Sequence, residues 1–189
     1  MTEKEKRDSG ELYNGNDPEL VAERVNVKKL CKEYNDITYN DYTRRTRVLD
    51  KILAFKGDNP FVEANFMCDY GYNIFIGDHF YSNHNLVILD CAEVTFGNNV
   101  FIGPNCGFYT AEHPIDAETR NKGLESARPI KVGNDVWIGG NVCVLPGVTI
   151  GDDCVIGAGS VVTKDIPSGS VACGNPCKVI GKTSDKKKK

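Results

Sequence analysis

Three of the 189 residues are histidines, and one of them, His113, stands in the run Thr110-Ala111-Glu112-His113-Pro114. An unperturbed imidazole titrates near about pH 6.5, so at neutral pH its free nitrogen is ready to take a proton from a hydroxyl. His79 and His84 lack a comparable setting and read as surface or interface residues. The other reactive candidates are eight cysteines: Cys31, Cys68, Cys91, Cys106, Cys143, Cys154, Cys173 and Cys177. They are spread through a chain that is 40% apolar, so buried, reduced thiols are expected rather than a disulfide scaffold. Cys173 and Cys177 are the closest pair, and no second pair completes a set of zinc ligands, so no metal site is expected. None of the thiols stands beside His113 as a nucleophile would stand beside its base, which argues against a covalent intermediate.

The residues that must position His113 follow a six-residue period. Val132, Ile138, Val144, Ile150, Ile156 and Val162 fall six apart, and Gly133, Gly139, Gly151 and Gly157 directly follow four of them. Two residues earlier stand Ile130, Val136, Val142, Val148, Cys154 and Ser160, all small or apolar, which can also face inward. Turn formers such as Gly133-Asn134-Asp135 recur where a helix would have to continue. Each hexad therefore supplies one short strand and one corner. A hexad cannot bury its apolar residue alone, so the units must stack with strands roughly 4.8 Å apart, giving a mainly β fold, a parallel β-helix. The same register appears upstream through Ile76, Ile88, Phe96, Ile102 and Phe108. A spacing of eight between Ile88 and Phe96 predicts a two-residue bulge. The spacing of 24 between Phe108 and Val132 exceeds three hexads by six residues and predicts a loop, about residues 109–129, pushed out of the stack with His113 on it.

Residues 1–60 read as a two-helix segment. Asp17-Pro18 is a suitable N-cap and first-turn pair ahead of Leu20, Val21, Val25, Leu30, Cys31 and Tyr34 at helical spacing. Asp41 can cap a second helix carrying Val48, Leu49, Ile52 and Leu53 on one face. Residues 61–182 would form the β-helix, and residues 183–189 a disordered basic tail. The formal charge of −3 leaves no basic excess for a nucleic-acid partner. No apolar run is long enough to span a membrane, and Met1 to Glu11 lack the apolar stretch of a signal peptide, so a cytoplasmic location is expected.

Several runs resemble the hexapeptide-repeat acyltransferases, and within them the maltose and galactoside acetyltransferases. Gly10-Glu11-Leu12-Tyr13 with Asn16-Asp17-Pro18-Glu19-Leu20 is similar to the N-terminal signature of that subfamily. Cys68-Asp69-Tyr70-Gly71-Tyr72-Asn73-Ile74 resembles its entry to the β-helix. Val136-Trp137-Ile138-Gly139-Gly140 and Pro146-Gly147-Val148-Thr149-Ile150-Gly151 resemble its late coils, and Gly174-Asn175-Pro176-Cys177-Lys178-Val179-Ile180 its exit. The resemblance implies a left-handed β-helix, a direction that runs against the usual crossover rule and that periodicity alone does not give. It further implies transfer of an acetyl group from acetyl-CoA to a sugar hydroxyl by direct attack, in a homotrimer whose sites lie between subunits.

In that resemblance His113 is the general base. Asn83 would position the reacting group and touch the donor, Tyr81 and Asp90 would line the acceptor site with Asp69 and Asp17, and Glu125 would reach the sugar from the edge of the loop. Asp17 also reads simply as a helix cap, and Asp69 and Glu125 as solvated corner charges. For the donor, backbone groups at Gly140 and Ala158 would meet the pantetheine arm, with Thr163, Lys164 and Lys178 near the nucleotide. Where galactoside enzymes carry two arginines in the exit, this chain has Lys178 and Gly181. Trp137 would line the donor groove or a subunit contact. Acetylation of an antibiotic or other hydroxyl compound stays open, as does a non-enzymatic binding solenoid. A three-histidine metalloenzyme of the γ-carbonic anhydrase type fits less well, because the close pair His79 and His84 precedes the lone His113 instead of following it.

Overall fold

In the computed structural model, which describes residues 1–188 and side chains as far as Asp185, the hexads stack into a parallel β-helix of triangular section. Face 1 is built from Phe55–Lys56, Ile74–Ile76, Val94–Phe96, Ile130–Val132 and Thr149–Ile150. Face 2 takes Phe61–Val62, Tyr81–Ser82, Phe101–Ile102, Trp137–Ile138, Val155–Ile156 and Ser170–Cys173, and face 3 takes Met67–Cys68, Val87–Leu89, Gly107–Tyr109, Cys143–Val144 and Val161–Val162. One inward residue per strand makes a column on each face. Cys68, Ile88, Phe108, Val144 and Val162 form the column of face 3, all at 2 % exposure or less. Backbone amides donate from coil to coil, as in Tyr81 N to the Val100 carbonyl and Phe101 N to that of Val136, both 2.9 Å. The fold therefore satisfies its backbone between coils, and stability accumulates through neighbour contacts.

The edges explain why the hexads carry asparagine. Asn65, Asn85, Asn105 and Asn141 turn the chain from face 2 to face 3 at φ of 66°, 63°, 59° and 58°. This is the left-handed region, which asparagine tolerates better than most residues. The edge from face 3 to face 1 is different, because it is widened in three successive coils. Eight residues separate Cys68 from Ile76 and Ile88 from Phe96, which accounts for the two-residue bulge read from the sequence. Phe108 and Val132 also lie on successive faces, pairing with Val144 and Phe96 respectively. Their interval of 24 thus exceeds the ordinary six by 18 residues, and the smaller excess expected from the sequence is corrected.

Both expected helices are present, Pro18–Asn35 and Tyr42–Ile52, capped by Asp17 and Asp41. Val27, Cys31, Tyr34, Val48, Leu49 and Ile52 join the column of the first coil and seal that end of the stack. A third helix, Glu3–Ser9, was not expected. It holds no apolar residue and is fixed by a capping box at Thr2 and by Arg7, 2 % exposed, whose guanidinium lies 4.5 Å from the Tyr70 ring centre and donates to the Tyr72 hydroxyl. The stack begins at Phe55, inside the segment read as 1–60. At the other end Lys178–Lys182 folds back antiparallel on Ser170–Cys173. Thr183–Lys188, expected as a disordered tail, forms a 3-10 helix, and Lys189 lies outside the described residues.

Candidate active site

The 18 extra residues fold on themselves. Ala111–Glu112 pairs antiparallel with Leu124–Ala127, which pairs in turn with Tyr13–Asn14, and a short helix, Ala117–Asn121, makes the tip. Arg128 clamps Glu112 through two bonds of 2.8 and 2.9 Å, so the strand leading into His113 is fixed on both sides. The His113 Nδ1 lies 3.3 Å from the Leu124 carbonyl. That carbonyl can only accept, so the proton sits on Nδ1 and Nε2 presents a lone pair. Nε2 stands 3.8 Å from the Glu125 carboxylate. The imidazole is half-exposed, with its tautomer set by the backbone.

On the same edge a small apolar cluster is packed, with acidic groups at its margin. Tyr13, Leu20, Tyr70, Cys91 and Ala127 pack together, each at 5 % exposure or less. The Tyr13 hydroxyl is buried without a partner, and burial next to Cys91 and Glu125 raises its pKa well above the usual phenol range. A Cβ on Gly15 would collide with the Glu125 carboxylate, so glycine lets the N-terminal segment close over that side chain. Asp69 is half-buried, its pKa raised by burial and pulled back by Lys28 and Arg24. Asp17 caps its helix, accepting from Glu19 N at 3.0 Å.

Asp90 does not reach an acceptor site as expected. It is 0 % exposed, and its Oδ1 accepts the amides of Asp69 and Tyr70 at 3.0 and 2.9 Å, while Oδ2 is buried with no partner. Its role is to hold the widened edge in shape. Burial pushes its pKa up to about 6 from an ordinary 3.8, against the pull of the backbone amides. A carboxyl raised in the folded state contributes stability below its unfolded pKa, and that contribution is lost as pH rises through about 6. The stability of the wild type relative to Asp90→Asn is therefore expected to fall by on the order of 3 kcal/mol between pH 4 and pH 7. Denaturant titrations of both proteins across that range check it, and a difference that is flat or rises with pH contradicts it.

The other expected residues gather elsewhere. Gly140, Ala158 and Trp137 line a mostly apolar groove of about 510 Å³ along the edge between faces 2 and 3, together with Gly103, Gly139 and Cys173. A Cβ on Gly139 would come within 2.6 Å of Ala158 N, so the groove floor is bare backbone. Tyr81 lies on face 2 and Asn83 on the same edge, where its Oδ1 accepts from His84 N at 2.8 Å. Thr163 and Lys164 fall on the edge between faces 3 and 1, in a separate hollow with Glu112 and Arg128. Lys178 sits exposed on the last strand, opposite Cys173. Within one chain His113 and the groove thus occupy different edges of the prism.

The profile of the maltose acetyltransferase hexapeptide capping motif matches residues 6–57, and that of the bacterial transferase hexapeptide matches residues 129–164. A putative acetyltransferase of Saccharomyces cerevisiae is 54% identical over 94% of this chain and 91% of its own length. The chain belongs to the hexapeptide-repeat acetyltransferases. Two solved structures from this acetyltransferase family superpose along its length. A maltose O-acetyltransferase from Clostridium difficile 630 gives a TM-score of 0.95 at 50% identity, covering 96% of this chain and 97% of the other. A galactoside acetyltransferase in complex with coenzyme A gives 0.95 at 42% identity, covering 100% and 94%.

Tyr13 and Cys173 were not singled out from the sequence. Tyr13 belongs to the N-terminal signature, but its pairing with Glu125 depends on the antiparallel sheet of the loop. Cys173 follows Ala172, the last inward residue of the face 2 column, and so occupies the groove position that glycines hold in the preceding coils. Among the described residues, no group of three or more His, Cys, Asp or Glu is placed to hold a metal ion, and no helix is long and apolar enough to cross a membrane.

Proposed function

We propose that this acetyltransferase moves the acetyl group of acetyl-CoA onto a hydroxyl of a sugar, at sites formed between copies of the chain in a homotrimer. The observation that carries the reading is His113, with Nδ1 held by the Leu124 carbonyl and Nε2 free beside Glu125. Nε2 takes the proton of the acceptor hydroxyl as its oxygen bonds to the thioester carbonyl carbon. The tetrahedral oxyanion collapses, the carbon–sulfur bond breaks, and the CoA thiolate takes the proton back from the imidazolium. Direct transfer is supported by Cys91, a thiol packed beside Tyr13 on the His113 edge. It is 4 % exposed with its pKa pushed up to about 12, so its thiolate is unavailable.

The sugar reading rests on the carboxylates near His113. Asp69 and Glu125, both partly exposed, offer directional acceptors beside an apolar cluster, which suits a neutral polyhydroxyl ring. The groove of small residues suits a pantetheine arm, with Thr163, Lys164 and Lys178 as candidates for the nucleotide end. Three copies in a closed ring would set the groove edge of one against the His113 edge of the next, joining two half-sites that a single chain keeps apart. A cytoplasmic location agrees with the eight free thiols.

The test is release of CoA thiol from acetyl-CoA against glucosides, maltose, galactosides and hydroxyl-bearing antibiotics. It is paired with co-expression of His113→Ala and Asn83→Ala chains. Turnover on sugars, and activity regained in mixed oligomers of the two variants, is the expected result. Turnover only on antibiotics would replace the acceptor. Mixtures that stay inactive would place each site within one chain.

A further inference from the structure

Face 2 continues beyond the groove. In register, Val62, Ser82, Ile102, Ile138, Ile156 and Ala172 form its inward column, and the residue after each stands on the edge. Those edge residues are Glu63, Asn83, Gly103, Gly139, Gly157 and Cys173, tied coil to coil by amide bonds such as Glu63 N to the Ser82 carbonyl at 2.9 Å. The bare floor thus ends at Asn83, and one rung further stands a carboxylate. Beside it the outward column stacks Phe61 on Tyr81, ring centres 6.1 Å apart and planes 9° from parallel.

Glu63 is 8 % exposed, yet among the described residues no donor bonds its carboxylate, and Oε2 is fully buried. The nearest basic side chain is His84, whose Nε2 lies 4.0 Å from Oε2, beyond hydrogen-bond length. The Ser82 hydroxyl, on the strand paired with Val62, is buried without a partner as well. A carboxylate taken out of water without a donor is costly, and buried polar groups in folded proteins are nearly always bonded. His84 can close on Oε2, which leaves Oε1, not fully buried, to a donor from outside the chain. The position narrows what kind: on the rung beside Asn83, beyond the glycine-floored groove, and beside the outward aromatic column of Phe61, Tyr81 and Phe101, an apolar wall for a ring bearing hydroxyls.

We infer that Glu63 is a further specificity-determining residue of the acceptor site, its Oε1 accepting a hydrogen bond from an acceptor hydroxyl that does not react, with His84 closing on Oε2. The inference rests on the reading of the acceptor as a polyhydroxyl sugar. Glu63 selects acceptors that carry a hydroxyl at the position it faces, and rejects those that lack it, because the largely buried carboxylate then stays short of a donor.

The experiment compares the wild-type oligomer with Glu63→Gln, Glu63→Asp and His84→Ala. It measures kcat, both KM values, melting temperature and oligomer mass on a good acceptor and on its monodeoxy analogues. Loss of one hydrogen bond to a charged group is expected to raise the acceptor KM of Glu63→Gln by roughly tenfold or more. The KM for acetyl-CoA should stay within about twofold, and discrimination against one deoxy analogue should disappear. Glu63→Asp keeps the charge with a shorter reach and serves if the glutamine variant does not fold. An unchanged acceptor KM with a lower melting temperature or a smaller oligomer would overturn the inference and give Glu63 a bond to a second copy instead. If the wild type itself acetylates no sugar, the acceptor reading fails and this inference with it, an outcome told apart by the silence of the unmutated protein.

Discussion

His113→Ala is expected to lower kcat for acetyl transfer by about 10²–10⁴-fold, the usual contribution of a positioned general base. The imidazole is 57% exposed in its side chain and bonds only the Leu124 carbonyl, so its removal leaves the stack intact. Melting temperature should therefore be unchanged, and so should binding of acetyl-CoA, because no residue lining the groove is altered. Glu125→Gln removes the charge beside Nε2 but leaves the base, and should fall between the variant and the wild type. Initial rates of thiol release at saturating acetyl-CoA and acceptor decide the matter. A His113→Ala enzyme within tenfold of wild type would dismiss the imidazole as base.

Phe108→Ala should cost about 3–5 kcal/mol of stability, the range for a buried aromatic truncated to alanine. Phe108 is 0 % exposed in the centre of the inward column of face 3 and packs edge-on against Phe96, ring centres 4.9 Å apart. The stack contacts its neighbours only, so a void there has no large core to collapse into. For a chain of this size the loss lowers the melting temperature by on the order of 10 °C. Ile115→Ala supplies the contrast. That side chain is 98% exposed on the loop, and its removal should shift stability by less than about 0.5 kcal/mol. Thermal melts of both variants check the pair, and equal shifts would mean that the column is not the source of stability.

The parts legible in the sequence are those that repeat. The hexad states which side chains face inward, and Asp17-Pro18 and Asp41 mark where two helices begin. The helix Glu3–Ser9 escaped because its anchor is polar: Arg7, buried against Tyr70 and Tyr72, leaves no trace in a hydrophobic pattern. The loop and its span of about 109–129 were legible but its excess over the hexads was not, since a count of hexads does not tell which faces Phe108 and Val132 occupy. His113 could be named from its surroundings in the chain, whereas the Leu124 carbonyl that sets its tautomer is supplied by the pairing of two strands. Asp90 and Glu63 show the limit most clearly. As letters both are corner carboxylates, and only packing separates one that braces a turn from one whose oxygen is left without a donor.

The widening of a single edge has a consequence for how such a protein can diversify. Two, two and 18 residues are inserted at the same corner of successive coils, and the next corner, from Val144 to Ile150, returns to the plain hexad. Closing a longer loop adds entropy cost only slowly with length, and each coil touches only its neighbours. Insertions at this corner can therefore lengthen, shorten or change in composition while the glycine-floored edge stays as it is. The part of acceptor choice carried by the loop becomes separable from donor choice, so that a library confined to residues 110–129 should yield variants with altered acceptor range and an unaltered KM for the thioester.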